Sequence, residues 1–309
     1  MMMIKPKFWD KEIGLISILL LPFSLIVLFL IFLKRNFTKN NTFNIPVICV
    51  GNIYIGGTGK TPMSIFLSKE LVRLGKKPVI IRKFYKEHTD EHDLIKNSFE
   101  SLILNSKRPA GIREAIKSGY DVAVLDDGFQ DYSIKKNLNI VCFNQNQLIG
   151  NGLVLPAGPL RESLESLTKA DIIIVNGQRD KNFEEKILKI NSDLKIFYSR
   201  YKAENLNELK DKRLFALAGI GNPENFFQLI ENNNLIIEKK FIFPDHYKFS
   251  KSEIQNIISE AERCSCEIVM TEKDYFKIKD FNLKNINYLK VSLVLDEQEN
   301  LFSMVKEII

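Results

Sequence analysis

Lys60 and Thr61 close a glycine-rich turn, Gly56-Gly57-Thr58-Gly59, that follows the apolar run Val47-Ile48-Cys49-Val50 and precedes Pro62. A buried strand, a loop and a helix N-terminus make a cradle for phosphate, because the loop N–H groups point inward and the helix dipole favours negative charge. On this reading Tyr54, Ile55, Gly56, Gly57, Thr58, Gly59, Lys60 and Thr61 bind ATP. The Lys60 ammonium reaches the β- and γ-phosphates and the Thr61 hydroxyl reaches Mg²⁺. The usual G-x-x-x-x-G-K-[ST] pattern has glycine where this chain has Tyr54. The competing reading is a glycine-rich turn with a chance Gly-Lys-Thr. A strand before it and an amphipathic helix after it favour the phosphate cradle.

A second pair able to do chemistry, Asp126 and Asp127, ends the apolar run Val122-Ala123-Val124-Leu125. In phosphoryl transfer, a carboxylate at the end of a buried strand holds Mg²⁺ opposite the loop threonine. A solvated turn rich in Asp and Gly is the plain alternative. Beside a phosphate loop, the metal set Thr61, Asp126 and Asp127 is preferred.

These residues need a sheet to position them. Ile45–Val50, Pro78–Ile81, Asp121–Leu125, Asn139–Phe143 and Asp171–Val175 read as strands. Pro62–Leu74 has Met63, Phe66, Leu67, Leu71 and Leu74 at helical spacing, and Gly75 stops it. Asp93–Leu104 and Gly111–Ser118 also read as helices. Strands alternating with helices predict a parallel sheet covered on both faces, with ligands beyond the carboxyl ends of strands. Both candidate clusters fall there. From about Gln178 a smaller unit is expected, with helices at Asn182–Ile190, Asn225–Ile230 and Ser250–Arg263. Leu214–Ala218, Leu235–Phe241, Ile268–Met270 and Tyr288–Val291 join it, and Leu301–Ile309 completes it. Ser250 reads as a helix N-cap with Glu253 in the capping-box position. Gly219-Ile220-Gly221 lacks the third glycine of a dinucleotide site and reads as a tight turn.

The expected fold class is therefore α/β: a P-loop NTPase-type parallel-sheet domain plus a smaller α/β domain, with an N-terminal membrane-associated helix. The expected divisions are 1–36 for the anchor, 37–177 for the P-loop core and 178–309 for the smaller domain. Ile13–Leu33 contains no charged residue and is long enough to span a bilayer core. Lys5, Lys7 and Lys11 precede it while Lys34, Arg35 and Lys39 follow, so the positive-inside rule ties. Pro22 lies near the middle, leaving a single span or a bent, re-entrant insertion open.

Composition narrows the class. At 309 residues, 45% hydrophobic and 27% charged, the chain has enough apolar content for two cores. Its net charge of +6 comes without a compact basic stripe interleaved with aromatics, so no nucleic-acid partner is expected. Cys49 and Cys142 lie in apolar runs, and Cys264-Ser265-Cys266 lacks the second ligand pair of a zinc site. No disulfide framework is indicated, which fits a reducing compartment.

Five segments in order carry a resemblance: GNIYIGGTGKTP, DVAVLDDGFQ, LVLPAGPLRES, FPDHYKFS and MTEKDYFKI, behind an apolar N-terminal segment. Together they resemble the tetraacyldisaccharide 4′-kinase family of lipid A biosynthesis, over most of the chain. The resemblance implies transfer of the γ-phosphate of ATP to the 4′-hydroxyl of tetraacyldisaccharide 1-phosphate, forming lipid IVA. It implies Mg²⁺ as cofactor, a lipid substrate, and work at the inner membrane on its cytoplasmic face. Arg161, by the same resemblance, contacts phosphate charge, and an Asp–His pair serves as base. Asp90 and His246 occupy those positions, Asp93 being the fallback for the first. Asp90, His246, Lys60 and Arg161 are thus the catalytic candidates, with Glu91, Arg113 and Glu162 as further ones. Several departures stand out: Thr89 replaces a glycine before Asp90, Arg82-Lys83-Phe84-Tyr85 replaces a Ser-Arg-Gly-Tyr form, and Asp131 stands where histidine is common. An active site assembled from both domains is expected. A membrane-tethered P-loop ATPase, or a nucleotide-binding adaptor without lipid kinase activity, is the alternative. His88 and His92 have i, i+4 spacing but lack further metal ligands, and the Thr271-Glu272-Lys273-Asp274 segment has no assigned role.

Overall fold

The computed structural model describes residues 6–85, 89–245 and 247–309, with the backbone alone for Thr89 and Asp90. Two compact units divide the chain. The larger contains Lys5–Phe84, Phe99–Arg200 and Leu295–Ile309, and the smaller contains Tyr85–Ser98 and Tyr201–Val294. The boundary expected near Gln178 falls inside the larger unit, whose sheet continues past it.

The larger unit begins with α1 (Leu15–Phe37), β1 (Val47–Gly51), α2 (Lys60–Arg73) and β2 (Pro78–Lys83). The next helix, α3 (Thr89–Ser98), belongs to the smaller unit. The chain then adds β3 (Leu102–Asn105), α4 (Arg108–Lys117), β4 (Val122–Asp126), β5 (Leu138–Asn144), β6 (Ile172–Asn176), α5 (Lys181–Leu188) and β7 (Lys195–Ala203). Next come β8 (Arg213–Ala218), α6 (Pro223–Asn232), β9 (Ile236–Ile242), α7 (Lys251–Arg263), β10 (Glu267–Thr271), α8 (Glu272–Ile278), β11 (Ile286–Leu289), β12 (Val291–Leu295) and α9 (Gln298–Lys306).

The main sheet has the order β12-β7-β6-β5-β1-β4-β2-β3, and every pairing from β7 across to β3 is parallel. All five residues of β1, β4 and β6 are buried, which is why these strands are continuous apolar runs rather than alternating ones. Val47, Cys49, Ala123, Leu125, Val141 and Phe143 lie in one core with Ile53 and Tyr54 of the glycine loop.

Asp93–Leu104 is not one helix. The helix ends at Ser98, and Leu102–Asn105 pairs with Ile80–Lys83 at the sheet edge. Leu102-Ile103-Leu104 is a contiguous apolar run, which suits the two faces of a strand better than the single buried face of a helix. Tyr288–Val291 is likewise not one strand: β11 ends at Leu289 and β12 starts at Val291, each in a different sheet. The C-terminal segment joins the larger unit as α9. There Phe302 packs on Phe66, and Gln298 donates to Glu70 at 3.0 Å.

Helix α1 runs unbroken through Pro22 for 23 residues, about 34 Å at 1.5 Å per residue. Among the described residues it is the one helix long and apolar enough to cross a membrane. Leu15, Leu19, Phe23, Leu25 and Phe29 are more than half exposed, Val27 and Leu28 pack partly buried on the core, and the buried residues of the helix are Ser17 and Ser24.

The smaller unit has a parallel sheet of order β11-β10-β8-β9 with apolar clusters on both faces. Ser250 caps α7 by accepting from the Glu253 N–H at 3.2 Å, as expected. Thr271 caps α8 by accepting from the Asp274 N–H at 3.1 Å. The Asp274 carboxylate, fully buried, accepts from the Gly219 N–H and from the Thr271 hydroxyl, each at 2.7 Å, and pairs with Lys277. The unassigned Thr-Glu-Lys-Asp segment therefore binds a helix start to the Gly219 turn. Lys273 bridges Glu91 of α3 at 3.5 Å and Asp245 at 3.0 Å.

Candidate active site

Strand β1 delivers the chain into the glycine loop at its carboxyl end. Asn52, fully buried, holds the loop from inside: its Nδ2 donates to Tyr54 O at 2.6 Å and Thr58 Oγ1 at 2.9 Å. Gly59 has φ +87° and caps α2, a left-handed conformation natural to glycine. Helix α2 begins at Lys60, so the Lys60 and Thr61 side chains rise from its first turn, where the dipole attracts anions.

Strand β4 lies beside β1 with Val50 opposite Asp126, and β2 lies on its other side with Arg82 opposite Asp126. The Asp126 carboxylate is fully buried. It accepts from Thr61 Oγ1 at 3.2 Å and from Ser64 Oγ at 3.0 Å, and it pairs with the Arg82 guanidinium. Arg82 also donates to Thr61 Oγ1 at 3.2 Å. The next residue, Asp127, takes the left-handed region with φ +55°, where Asp is tolerated, and so turns toward the loop. It meets Lys60 Nζ at 3.8 Å and Arg161 Nη1 at 2.9 Å.

Arg161 arrives on the segment following β5. Its N–H donates to Ile53 O at 2.7 Å, and Ile55 N–H donates to Pro159 O at 3.0 Å. The proline-glycine segment is thus bonded directly to the glycine loop. Arg108, at the start of α4, donates to Asp127 O at 2.6 Å and pairs with Asp131 at 3.4 Å.

The electrostatics follow from this crowding. Burial lowers the Lys60 pKa, with Asp127 working against it. Burial alone would raise the Asp127 pKa, but Lys60, Arg161, Arg82 and Arg108 outweigh it and hold the carboxyl well below the usual carboxylate range. Two cations thus converge on one carboxylate at the mouth of a phosphate loop. An arriving phosphate oxygen would meet donors already gathered, which is the preorganisation that stabilises developing charge.

The Thr61 hydroxyl and the Asp126 carboxylate, 3.2 Å apart, offer hard oxygen donors of the kind Mg²⁺ takes alongside substrate phosphates, and Asp127 is the next residue in the chain. The Asp126 carboxylate that faces Thr61 is paired with Arg82 and bonded by Ser64, so its negative charge is balanced within the protein.

Lys60, Thr61, Asp126, Asp127 and Arg161 are brought together by this geometry. Glu162 is buried beside Tyr132. Arg113 is directed elsewhere: it donates to Asn41 Oδ1 at 2.9 Å and lies over the Phe43 ring. Glu91 sits on α3 with Lys273. Asp90 lies in α3, its side chain outside the described residues, and His246 lies outside them altogether. Arg82, Arg108, Asn52 and Ser64 were not among the sequence candidates. Arg82 carried one readable signal: it is the charged residue following the apolar run Val79-Ile80-Ile81, as Asp126 follows its own.

Residues 16–309 match the family model for tetraacyldisaccharide-1-P 4′-kinase. A tetraacyldisaccharide 4′-kinase of Pelagibacter ubique (strain HTCC1062) is 42% identical over 302 residues, covering 96% of this chain and 95% of its own length. The enzyme of that name from Paramagnetospirillum magneticum is 31% identical over 310 residues, covering 94% of each. The crystal structure of LpxK from Aquifex aeolicus in complex with ATP shows the same fold, with TM-score 0.74 at 23% identity over 95% of this chain and 99% of that one. With the family match running along nearly the whole chain and a relative 42% identical over 96% of it, the protein belongs to the tetraacyldisaccharide 4′-kinase family and is a kinase.

Proposed function

We propose that the protein transfers the γ-phosphate of ATP to the 4′-hydroxyl of a tetraacyldisaccharide 1-phosphate, forming lipid IVA, at the cytoplasmic face of the inner membrane. The observation that carries this reading is the convergence of Lys60 and Arg161 on Asp127 at the carboxyl ends of β1 and β4, in a chain of this family. Lys60, in the first turn of α2, binds the β- and γ-phosphates, and Arg161 neutralises charge on the transferred group. Thr61, Asp126 and Asp127 would hold Mg²⁺, which would supply positive charge to offset that of the phosphates. Asp90 and His246 act as the proton-handling pair for the acceptor hydroxyl, with imidazole suited to work near neutral pH. The lipid acceptor accounts for an exposed apolar α1 of membrane-spanning length.

The test is incubation of full-length protein with Mg-ATP and the disaccharide 1-phosphate lipid in detergent, followed by mass spectrometry of the lipid. Gain of one phosphate at the 4′ position supports the reading. ATP hydrolysis that is indifferent to the lipid and leaves it unmodified would sink it. His246→Ala and Asp90→Asn should each lower kcat strongly with little change in ATP affinity; full turnover in either removes that residue from the pair.

A further inference from the structure

Helix α1 meets the rest of the larger unit through Val27 and Leu28, partly buried against its core, and through two buried hydroxyl groups. Ser17 and Ser24, its buried residues, are seven apart and share one face. Ser24 Oγ donates to Val154 O at 2.7 Å and accepts from Ala157 N–H at 3.1 Å. Asn151 Nδ2 reaches Ser17 Oγ at 3.2 Å and Ala157 O at 2.9 Å. The segment before α1 repeats the pattern. Trp9 Nε1 donates to Pro156 O at 3.0 Å, Asn151 N–H donates to Trp9 O at 2.8 Å, and the Tyr54 hydroxyl donates to Asp10 at 2.8 Å.

The far side of the same loop holds the phosphate loop. Leu160 bridges both Tyr54 and Val154, and the bonds from Ile55 to Pro159 and from Arg161 to Ile53 complete the seam. Residues 9–24, 151–161 and 53–55 are therefore one hydrogen-bonded block that ends in Arg161 on Asp127.

A helix serving as a tether alone needs none of this. A serine in a lipid-facing helix bonds its own preceding-turn carbonyl. Ser24 instead spends its hydroxyl on the loop, satisfying a buried N–H and a buried C=O together. Tyr54, at the position where phosphate loops carry glycine, is fully buried and sends its hydroxyl out of the loop to Asp10.

We propose that α1 is a working part of the phosphate site: Ser24 and the Asp10–Tyr54 pair are positioning residues that set the phosphate loop and Arg161, so the seating of the helix in lipid sets where phosphate is delivered. This rests on the reading of Lys60 and Arg161 as phosphate-binding groups.

The test uses full-length protein with Mg-ATP and lipid acceptor, comparing Ser24→Ala, Ser24→Thr and Tyr54→Phe, with flotation on phosphatidylethanolamine–phosphatidylglycerol vesicles as the membrane readout. Ser24→Ala and Tyr54→Phe should each raise KM for ATP about tenfold, roughly 1.4 kcal/mol, and lower kcat, with flotation unchanged. Ser24→Thr, which keeps the hydroxyl, should restore both constants. Unchanged KM in both damaging variants overturns the proposal, whether activity is intact or the active fraction has merely fallen. Lost flotation with normal kinetics in detergent also overturns it, by making α1 a tether. Lys60→Met is the control: full turnover there would overturn the underlying phosphate-site reading, independently of the positioning result.

Discussion

Replacing Arg82 by methionine isolates the charge that faces Asp126. Asp126 is fully buried and the Arg82 side chain is 7% exposed, so neither gains much from solvent. Without the guanidinium, the carboxylate keeps the Thr61 and Ser64 hydroxyls as donors but loses its adjacent cation. Removing one partner of such a buried pair costs about 3–5 kcal/mol. At roughly 2–4 °C per kcal/mol for a unit of this size, the midpoint of its thermal transition should fall by roughly 6–20 °C. Asp126→Asn alone should also destabilise, by removing the negative charge that faces the buried Arg82 guanidinium. The double variant removes both charges and should recover most of the loss, since a buried pair replaced as a pair is close to neutral. The assay is a four-corner cycle of urea unfolding followed by far-UV circular dichroism. Additive losses across the cycle, or a change below about 0.5 kcal/mol for Arg82→Met, would refute the claim that these two groups are one electrostatic unit.

Three further outcomes are expected. The Asp127 pKa is depressed on folding, so the unfolded chain binds more protons and stability rises with pH through that range. The contribution is fully present above the unfolded value of about 3.9 and is lost as pH falls toward the folded value. Unfolding free energies measured across acid pH should therefore fall more steeply for the parent protein than for Asp127→Asn. Asp274→Ala removes the anchor of the Gly219 turn and α8, and should cost about 1.5–3 kcal/mol of smaller-unit stability by chemical denaturation. Gly51→Ala would place a methyl 2.5 Å from the Phe129 Cβ, and should cost about 1–3 kcal/mol by the same measurement through overpacking.

The parts of the site that sequence made legible share a cause. Phosphate loops and strand-end acids are local: Val47–Thr61 and Val122–Asp127 each carry strand, turn and chemistry in one short stretch. Arg82 was harder because its role depends on strand order. Only when β2 lies beside β4, in the register that sets Arg82 opposite Asp126, does the guanidinium reach the carboxylate. Arg108 depends in the same way on α4 starting near the end of β4. The grouping of Tyr85–Ser98 with Tyr201–Val294 is a long-range packing outcome with no local signal. The strand at Leu102–Asn105 was masked by the helical period just before it. Tyr54 reads as a departure from a pattern until its hydroxyl is seen on Asp10.

The measurement closest to the central claim is single-turnover transfer from γ-³²P-labelled ATP to the disaccharide 1-phosphate lipid, run on the parent protein and on Lys60→Met. The geometry predicts label on the lipid with the parent and a loss on the order of 10²–10³-fold or more with Lys60→Met, the range for removing one preorganised charge-stabilising group. Equal labelling by the two proteins, or label appearing only as free phosphate with the parent, would contradict it.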